Sequence, residues 1–520
     1  MSRGGLLRST AVFSGMTFLS RLAGLARDLL QATLFGTGPA VSAFVVAYRI
    51  PNYLRRIFAE GSFSSAFVPV LSELHQRGDP EALQDFLDHV AGALLAVVVV
   101  VTGLGMLFAP WIARLFLLFA GDDSGQVALT ADMLRITFPY LAFISMTALA
   151  GAILNSVRRF GLPAFTPVLH NLAVIAAMLW LARWFEIREY ALAWGVFLAG
   201  LAQMLLLWPA LGRLGLRPRL RFGLRHPGVR RVATLMLPTI FSSSVSQLNL
   251  LVGTMFASAL VVNAQAWLYY SDRLIEFPLG LFGVAIGTVI LPHLSRRHAD
   301  TDAIGYSHAL DWGLKMVALV SVPAALGLAL MAGPLCATLF QYGEFDARDT
   351  TMVGWSVIAM SVGVPAFMLS KVLLPAFYAR QDTRTPMRAA VITVFANIGL
   401  TVLLVTPLWW IGFDAAHAGI ALATGLAGIV NAALLWRWLV RDGAYRAERG
   451  WLVLFGRIAL ACVLMAATVL GAKAWLGDWA ALGSWPARVG WLLAVVGAGG
   501  LAYGLGLLLG GLRPRHLREA

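Results

Sequence analysis

Residues 90–110 read VAGALLAVVVVVTGLGMLFAP, twenty-one consecutive positions without a charge. As a helix rising about 1.5 Å per residue, this stretch reaches about 30 Å, the thickness of a bilayer's hydrocarbon core. Residues 232–270 are uncharged as well. Working outward from these two stretches, apolar blocks alternate with short charged or Gly/Pro-rich breaks along all 520 residues. The composition agrees, with 59% hydrophobic and 13% charged residues, where a soluble domain carries about 25% charged. A series of soluble domains is excluded. The pattern is that of an all-α polytopic membrane protein.

Fourteen spans are expected, near 10–35, 41–71, 90–111, 131–155, 163–182, 190–211, 232–258, 266–292, 313–335, 351–375, 389–410, 416–436, 452–472 and 488–511. Arg3 and Arg8 precede the first block, which lacks a small-residue cleavage site and reads as a retained span. The loops alternate in basic charge. Those on the N-terminal side hold about 24 Lys/Arg and those on the other about 5, the densest cluster running from Arg213 to Arg231. Both termini are therefore expected in the cytoplasm. The net charge of +14 sits mostly in these loops, so it implies membrane orientation and no nucleic-acid partner.

The chain also repeats itself. Val68-Pro69-Val70-Leu71-Ser72 aligns with Leu291-Pro292-His293-Leu294-Ser295, and Pro163 with Pro386, both 223 residues apart. Pro110-x-x-Ala113-x-Leu115-Phe116 meets Pro334-x-x-Ala337-x-Leu339-Phe340 at 224. Six spans per repeat leave the two copies in one orientation, the parallel plan of many secondary transporters. The expected organisation is an N-lobe at 1–222 (spans 1–6), a C-lobe at 223–440 (spans 7–12) and two extra helices at 441–520, around a central cationic cavity.

Chemistry concentrates in three spans. SRLAGLARDLL in span 1 holds Arg21, Arg27 and Asp28; YRIPNYLRRIFAEG in span 2 holds Arg49, Arg55, Arg56 and Glu60; YYSDRLIEFP in span 8 holds Asp272, Arg273 and Glu276. A charge at the bilayer centre costs about 2.5–3.5 kcal/mol on insertion scales, so these side chains must face protein or water. Six arginines against four acids leave a surplus of positive charge. Arginine's planar fork matches phosphate oxygens bidentately and stays protonated. An anionic substrate follows, with phosphate or pyrophosphate the leading candidate. Two local alternatives stand beside this reading: Arg273 can pair with Glu276 three residues on, and Asp28 can neutralise Arg27 or Arg21. Cys336 and Cys462 form no metal motif, and HExxH, Walker and nucleophile-elbow motifs are missing. No catalytic residue, metal or cofactor is expected. The driving force is left to the membrane potential or an ion gradient, the ion unassigned.

At these residues the chain resembles a known family. SRLAGLARDLLQATLFG (20–36), RIPNYLRRIFAEGSFSSAFVPVLSE (49–73), YYSDRLIEFPLGLFGVAIGTVILPHLS (269–295), LFQYGEF (339–345) and FYARQDTRTP (377–386) look like the MurJ/MviN lipid II flippases. These belong to the multidrug/oligosaccharidyl-lipid/polysaccharide exporter superfamily. The resemblance covers essentially the whole chain. It implies a transporter of the bacterial cytoplasmic membrane that flips lipid II, the undecaprenyl-pyrophosphate-linked disaccharide-pentapeptide, to the outer leaflet by alternating access. It places the family's substrate-binding arginines on Arg21, Arg27, Arg55 and Arg273, accompanied by Asp28, with Arg49, Arg56, Glu60, Asp272 and Glu276 as supporting charges. It further implies that the last two spans form a groove for the lipid tail, with membrane lipids and the cell-wall synthesis machinery as partners. Two positions depart from the pattern. Ser42 stands where some relatives have an acid. Spans 7 and 11 carry Asn249 and Asn397 but none of the acids through which some relatives bind sodium. An exporter of another lipid-linked oligosaccharide or a drug, and a membrane enzyme or scaffold of cell-wall synthesis, are the competing functions.

The orientation is testable directly. A cysteine at position 221 is expected to resist a membrane-impermeant maleimide in intact cells and react once the membrane is opened; labelling from outside would invert the topology.

Overall fold

Hydrocarbon offers backbone groups no hydrogen-bond partner, so apolar blocks of this length fold into helices that satisfy their own amides. The computed structural model describes residues 3–55, 62–118, 124–280, 284–300 and 302–512, where all regular structure is helical. The helices run α1 (Arg3–Phe35), α2 (Pro39–Arg55), α3 (Ser62–Arg77), α4 (Pro80–Leu107), α5 (Ala109–Phe116), α6 (Ser124–Thr137), α7 (Tyr140–Ser156), α8 (Gly161–Trp180), α9 (Tyr190–Arg213) and α10 (Pro227–Ser258). They continue with α11 (Ala264–Pro278), α12 (Val284–Ala299), α13 (Ala303–Leu339), α14 (Ala347–Ser361), α15 (Val364–Ala379), α16 (Arg384–Trp410), α17 (Ala418–Arg441), α18 (Trp451–Leu476) and α19 (Trp485–Leu509).

Among the described residues nine helical stretches are long and apolar enough to cross a membrane, or ten if α14 and α15, bent by 46°, form one span. The other four expected spans fall on α1, on α2 with α3, on α10, and on α11 with α12. Of the charged residues singled out above, Arg21, Arg27 and Asp28 lie on α1, Arg49 and Arg55 on α2, and Asp272, Arg273 and Glu276 on α11.

The chain divides into two compact units, Met1–Ala266 and Trp267–Ala520. The boundary expected at 222/223 lies in the linker between α9 and α10, and α10 packs on α3 and α4 within the first unit. That unit's core joins α3, α4, α7 and α9, with Phe63, Phe67 and Phe86 stacked at centroid distances of 5.0 and 5.6 Å. In the second unit α18 and α19 form a hairpin that packs on α13. Within the apolar packing, polar side chains reach carbonyls and hydroxyls of α13: Lys473 Nζ donates to Leu330 O at 2.7 Å, Tyr503 Oη to Leu319 O at 2.7 Å, and Trp479 Nε1 to Thr338 Oγ1 at 2.8 Å. Where α14 meets α15, Gly363 lies against Gly425 of α17, and a Cβ on Gly363 would sit 2.4 Å from the Gly425 Cα. Only glycine permits that approach.

Both units pin a linker with a buried aspartate. Asp88 of α4 accepts from the Arg219 backbone N–H at 2.7 Å and from Gln84 Nε2 at 2.7 Å, while its own carbonyl accepts the Arg221 N–H at 3.2 Å. Asp311 of α13 accepts from Tyr445 Oη at 2.6 Å, Trp451 Nε1 at 2.8 Å and the Glu448 N–H at 3.3 Å. The two aspartates are 223 residues apart, the offset of the sequence repeat. Burial first, and then the bond to Asp311, pushes the Tyr445 phenol up, so it remains a donor at neutral pH. Neighbouring positions differ. Lys315 bridges Asp311 and Glu448, whereas the corresponding Gly92 lies beneath the linker backbone, where a Cβ would meet the Arg221 carbonyl oxygen at 2.1 Å.

Gly92→Ala is therefore expected to displace the 217–222 linker and destabilise the first unit by about 1–3 kcal/mol. Scanning fluorimetry in detergent should show a lower Tm than for Gly103→Ala, where a Cβ has no neighbour within 4 Å. Equal melting of the two variants would refute the close approach.

Candidate functional site

In the first unit the charges of α1 meet α8, which packs against that helix. Arg27 and Asp28 are neighbours on α1, and both are largely buried, with side-chain exposures of 13% and 7%. Arg27 donates through Nε and Nη2 to Asp28 Oδ1 at 3.1 and 2.7 Å. Its Nη1 donates to Asn171 Oδ1 on α8 at 3.1 Å, and Asn171 Nδ2 returns a bond to the Ser20 carbonyl of α1 at 3.1 Å. Breaking such a pair by removing one partner leaves an uncompensated charge and costs about 3–5 kcal/mol. Beside Asn171, His170 is buried with its ring 5.6 Å from that of Tyr140.

Arg55, half-buried at the end of α2, donates through Nε to Asn52 Oδ1 at 3.0 Å, one turn back on its own helix. Arg49 is engaged elsewhere. Its Nη1 donates to Thr254 Oγ1 of α10 at 2.6 Å and to Gln265 Oε1 of α11 at 3.3 Å. That arrangement makes Arg49 a tie between helices. Arg21 is exposed on α1, while Ser42 is buried on α2. Arg56 and Glu60 lie outside the described residues, as does the side chain of Asn249.

In the second unit Arg273 of α11 donates through Nη1 to Glu276 Oε2 at 2.8 Å, and its guanidinium carbon lies 4.9 Å from the Tyr269 ring centroid. A cation over an aromatic face gains about 0.5–2 kcal/mol, more as water is excluded. Asp272 is half-buried beside it. Both local pairings anticipated from sequence, Arg27 with Asp28 and Arg273 with Glu276, are thus formed. The sequence reading did not single out Asn171. Its signal was an adjacent polar pair, His170-Asn171, inside an otherwise apolar span.

Among the described residues one cluster offers metal-ligand atoms within 4.8 Å of one another: Asp85 and His89 on α4, with His226 before α10. Its geometry opposes chelation. The two imidazoles stack face to face, 4.4 Å between centroids and 9° between planes. Ring-nitrogen lone pairs lie in the ring plane, so parallel stacked rings do not converge on one ion. His226 Nδ1 also accepts the Gly228 N–H, leaving Nε2 to donate to Asp85 Oδ2 at 3.1 Å, and Arg221 contacts the same carboxylate. The cluster fastens the basic linker to α4.

Comparison with known proteins identifies the family. The profile of the family described as "Lipid II flippase MurJ" matches residues 31–489. The "Probable lipid II flippase MurJ" of Vibrio cholerae is 42% identical over 522 residues, covering 99% of this chain and 98% of the relative. The "Lipid II flippase MurJ" of Burkholderia cenocepacia is 42% identical over 465 residues, 89% of each chain. A solved structure, "Lipid II flippase MurJ, inward closed conformation", superposes with a TM-score of 0.78 at 26% identity, covering 95% of this chain and 98% of its own. An inward-facing multidrug resistance MATE transporter of the MOP superfamily gives a TM-score of 0.68 at 14% identity, covering 82% of this chain and 94% of its own, a likeness of fold alone. With a family profile spanning most of its length and near full-length relatives at 42% identity, the chain belongs to the MurJ family of lipid II flippases.

Proposed function

We propose that this protein carries lipid II from the cytoplasmic to the outer leaflet of the bacterial inner membrane by alternating access, with both termini in the cytoplasm. Membership of the flippase family over nearly the full chain carries this reading. The protein is a transporter, and its cargo leaves chemically unchanged. The fold shared with multidrug transporters does not select a drug as cargo, because one fold hosts many functions.

The site chemistry supports an anionic headgroup. Pyrophosphate brings a charge of about −2 and oxygens matching the arginine fork. Arg27, Arg55 and Arg273 are the proposed contacts, with Arg21 at the exposed side of α1. Asp28 and Glu276 hold two of these guanidiniums in the absence of substrate. When phosphate oxygens arrive, each arginine exchanges one anionic partner for another, so no bare cation is left in the membrane between cycles. The exposed apolar side chains of α18 and α19, among them Leu452, Val463, Leu501 and Leu509, would follow the polyprenyl tail. The membrane potential or an ion gradient would reset the cycle. The cell-wall synthesis machinery is the natural consumer of the flipped lipid. The deciding experiment is translocation of lipid II by the purified protein in liposomes, with and without an imposed potential. Chemical turnover of the lipid would point to an enzyme, and transport of other lipid-linked glycans at equal rate to a general exporter.

Arg273 gives the sharpest variant test. Arg273→Lys keeps the charge but loses the planar fork, and is expected to impair complementation of a flippase-depleted strain. Arg273→Ala is expected to abolish complementation at near-normal membrane protein level. Normal growth with Arg273→Ala would refute the substrate role. Low protein restored by Arg273→Ala/Glu276→Ala would make the Arg273–Glu276 pair structural.

A further inference from the structure

The Arg27 guanidinium is held at all three of its nitrogens, by acceptors on two different helices. Three bonded nitrogens define a plane, so rotation about the Cδ–Nε bond breaks at least one contact. Asp28 accepts two of these bonds on Oδ1. The second anchor is Asn171, 144 residues away in sequence. Its amide orientation is itself set, since Nδ2 donates to the Ser20 carbonyl on α1.

We propose that Asn171 is a positioning residue for substrate binding: its side-chain carbonyl aims the Arg27 guanidinium without cancelling its charge. The inference rests on the reading above that Arg27 contacts the pyrophosphate. An acid would accept the same bond, but it would place a second carboxylate on Arg27. The Arg27–Asp28–residue 171 group would then carry a net negative charge facing an anionic cargo. A neutral acceptor supplies direction alone. A truncated side chain would remove the bond to Nη1, and a bidentate phosphate contact is sensitive to the angle of the guanidinium.

The test uses the full-length purified protein and fluorescent lipid II, with binding and Tm measured for Arg27→Ala, Asn171→Ala, Asn171→Asp and the double variant Arg27→Ala/Asn171→Ala. Asn171→Ala is expected to weaken binding about tenfold, the scale of one hydrogen bond to a charged group. Asn171→Asp is expected to weaken it further although an acceptor remains. In the Arg27→Ala background, Asn171→Ala is expected to cost nothing more, because the residue acts through Arg27. A residue that merely fastened α1 to α8 would behave otherwise: the Asn171→Ala penalty would persist without Arg27. That result overturns the inference. Where Asn171→Ala does not accumulate, Asn171→Ser, a smaller polar replacement, gives the same comparison with and without Arg27. If Arg27→Ala loses binding and the Asn171 variants keep it, the inference fails alone. If Arg27→Ala binds like the parent, the reading of Arg27 as a pyrophosphate contact fails and takes this inference with it.

Discussion

A charge within hydrocarbon must find its partner inside the protein, and the placement of side chains in this molecule follows from that requirement. The apolar blocks satisfy it trivially, since a helix bonds its own backbone. The arginines of α1, α2 and α11 satisfy it by short reaches: Arg27 to Asp28 and Asn171, Arg55 to Asn52, Arg273 to Glu276 and the Tyr269 face. Such pairings serve two ends at once. They compensate the cations within the fold, and they hold guanidinium forks in defined directions.

The same requirement shapes the membrane boundaries. Linkers leaving α9 and α17 carry free backbone amides past helix ends, and each is bonded by one deeply buried aspartate. Asp88 and Asp311 occupy equivalent positions of the internal repeat, yet their surroundings have diverged. One neighbour is a glycine that lets the linker backbone lie directly on α4, and the other a lysine that recruits Glu448. A structural anchor has been kept while the side chains around it were free to change.

Polar residues within the spans also tie helices together. Arg49, joined to Thr254 and Gln265, and Lys473, joined to the Leu330 carbonyl, link neighbouring helices, and Arg27 joins α1 to Asn171 of α8 while pairing with Asp28 on its own helix. Arg55 bonds back to Asn52 within α2. Thr254, Gln265, Asn171 and Asn52 are neutral acceptors, so each orients a cation without adding a carboxylate to the span.

The sequence by itself determined that the chain is helical and membrane-embedded, since block length and missing charge leave no other solution. It also determined which spans carry the chemistry, because a charge in an apolar run stands out without any knowledge of the fold, and its motifs marked the family. The Arg273–Glu276 pair was legible because helical geometry places residues three apart within reach, and Arg27–Asp28 because the two are adjacent in the chain. Only the tertiary structure decided that Asn171 meets Arg27, that Arg49 is a helix tie, and that Asp88 and Asp311 hold linkers more than 130 residues away. Those contacts depend on which helix faces meet and at what height. Every face of an apolar span reads alike in sequence, whereas packing brings one particular amide or carboxylate within 3 Å of one particular donor.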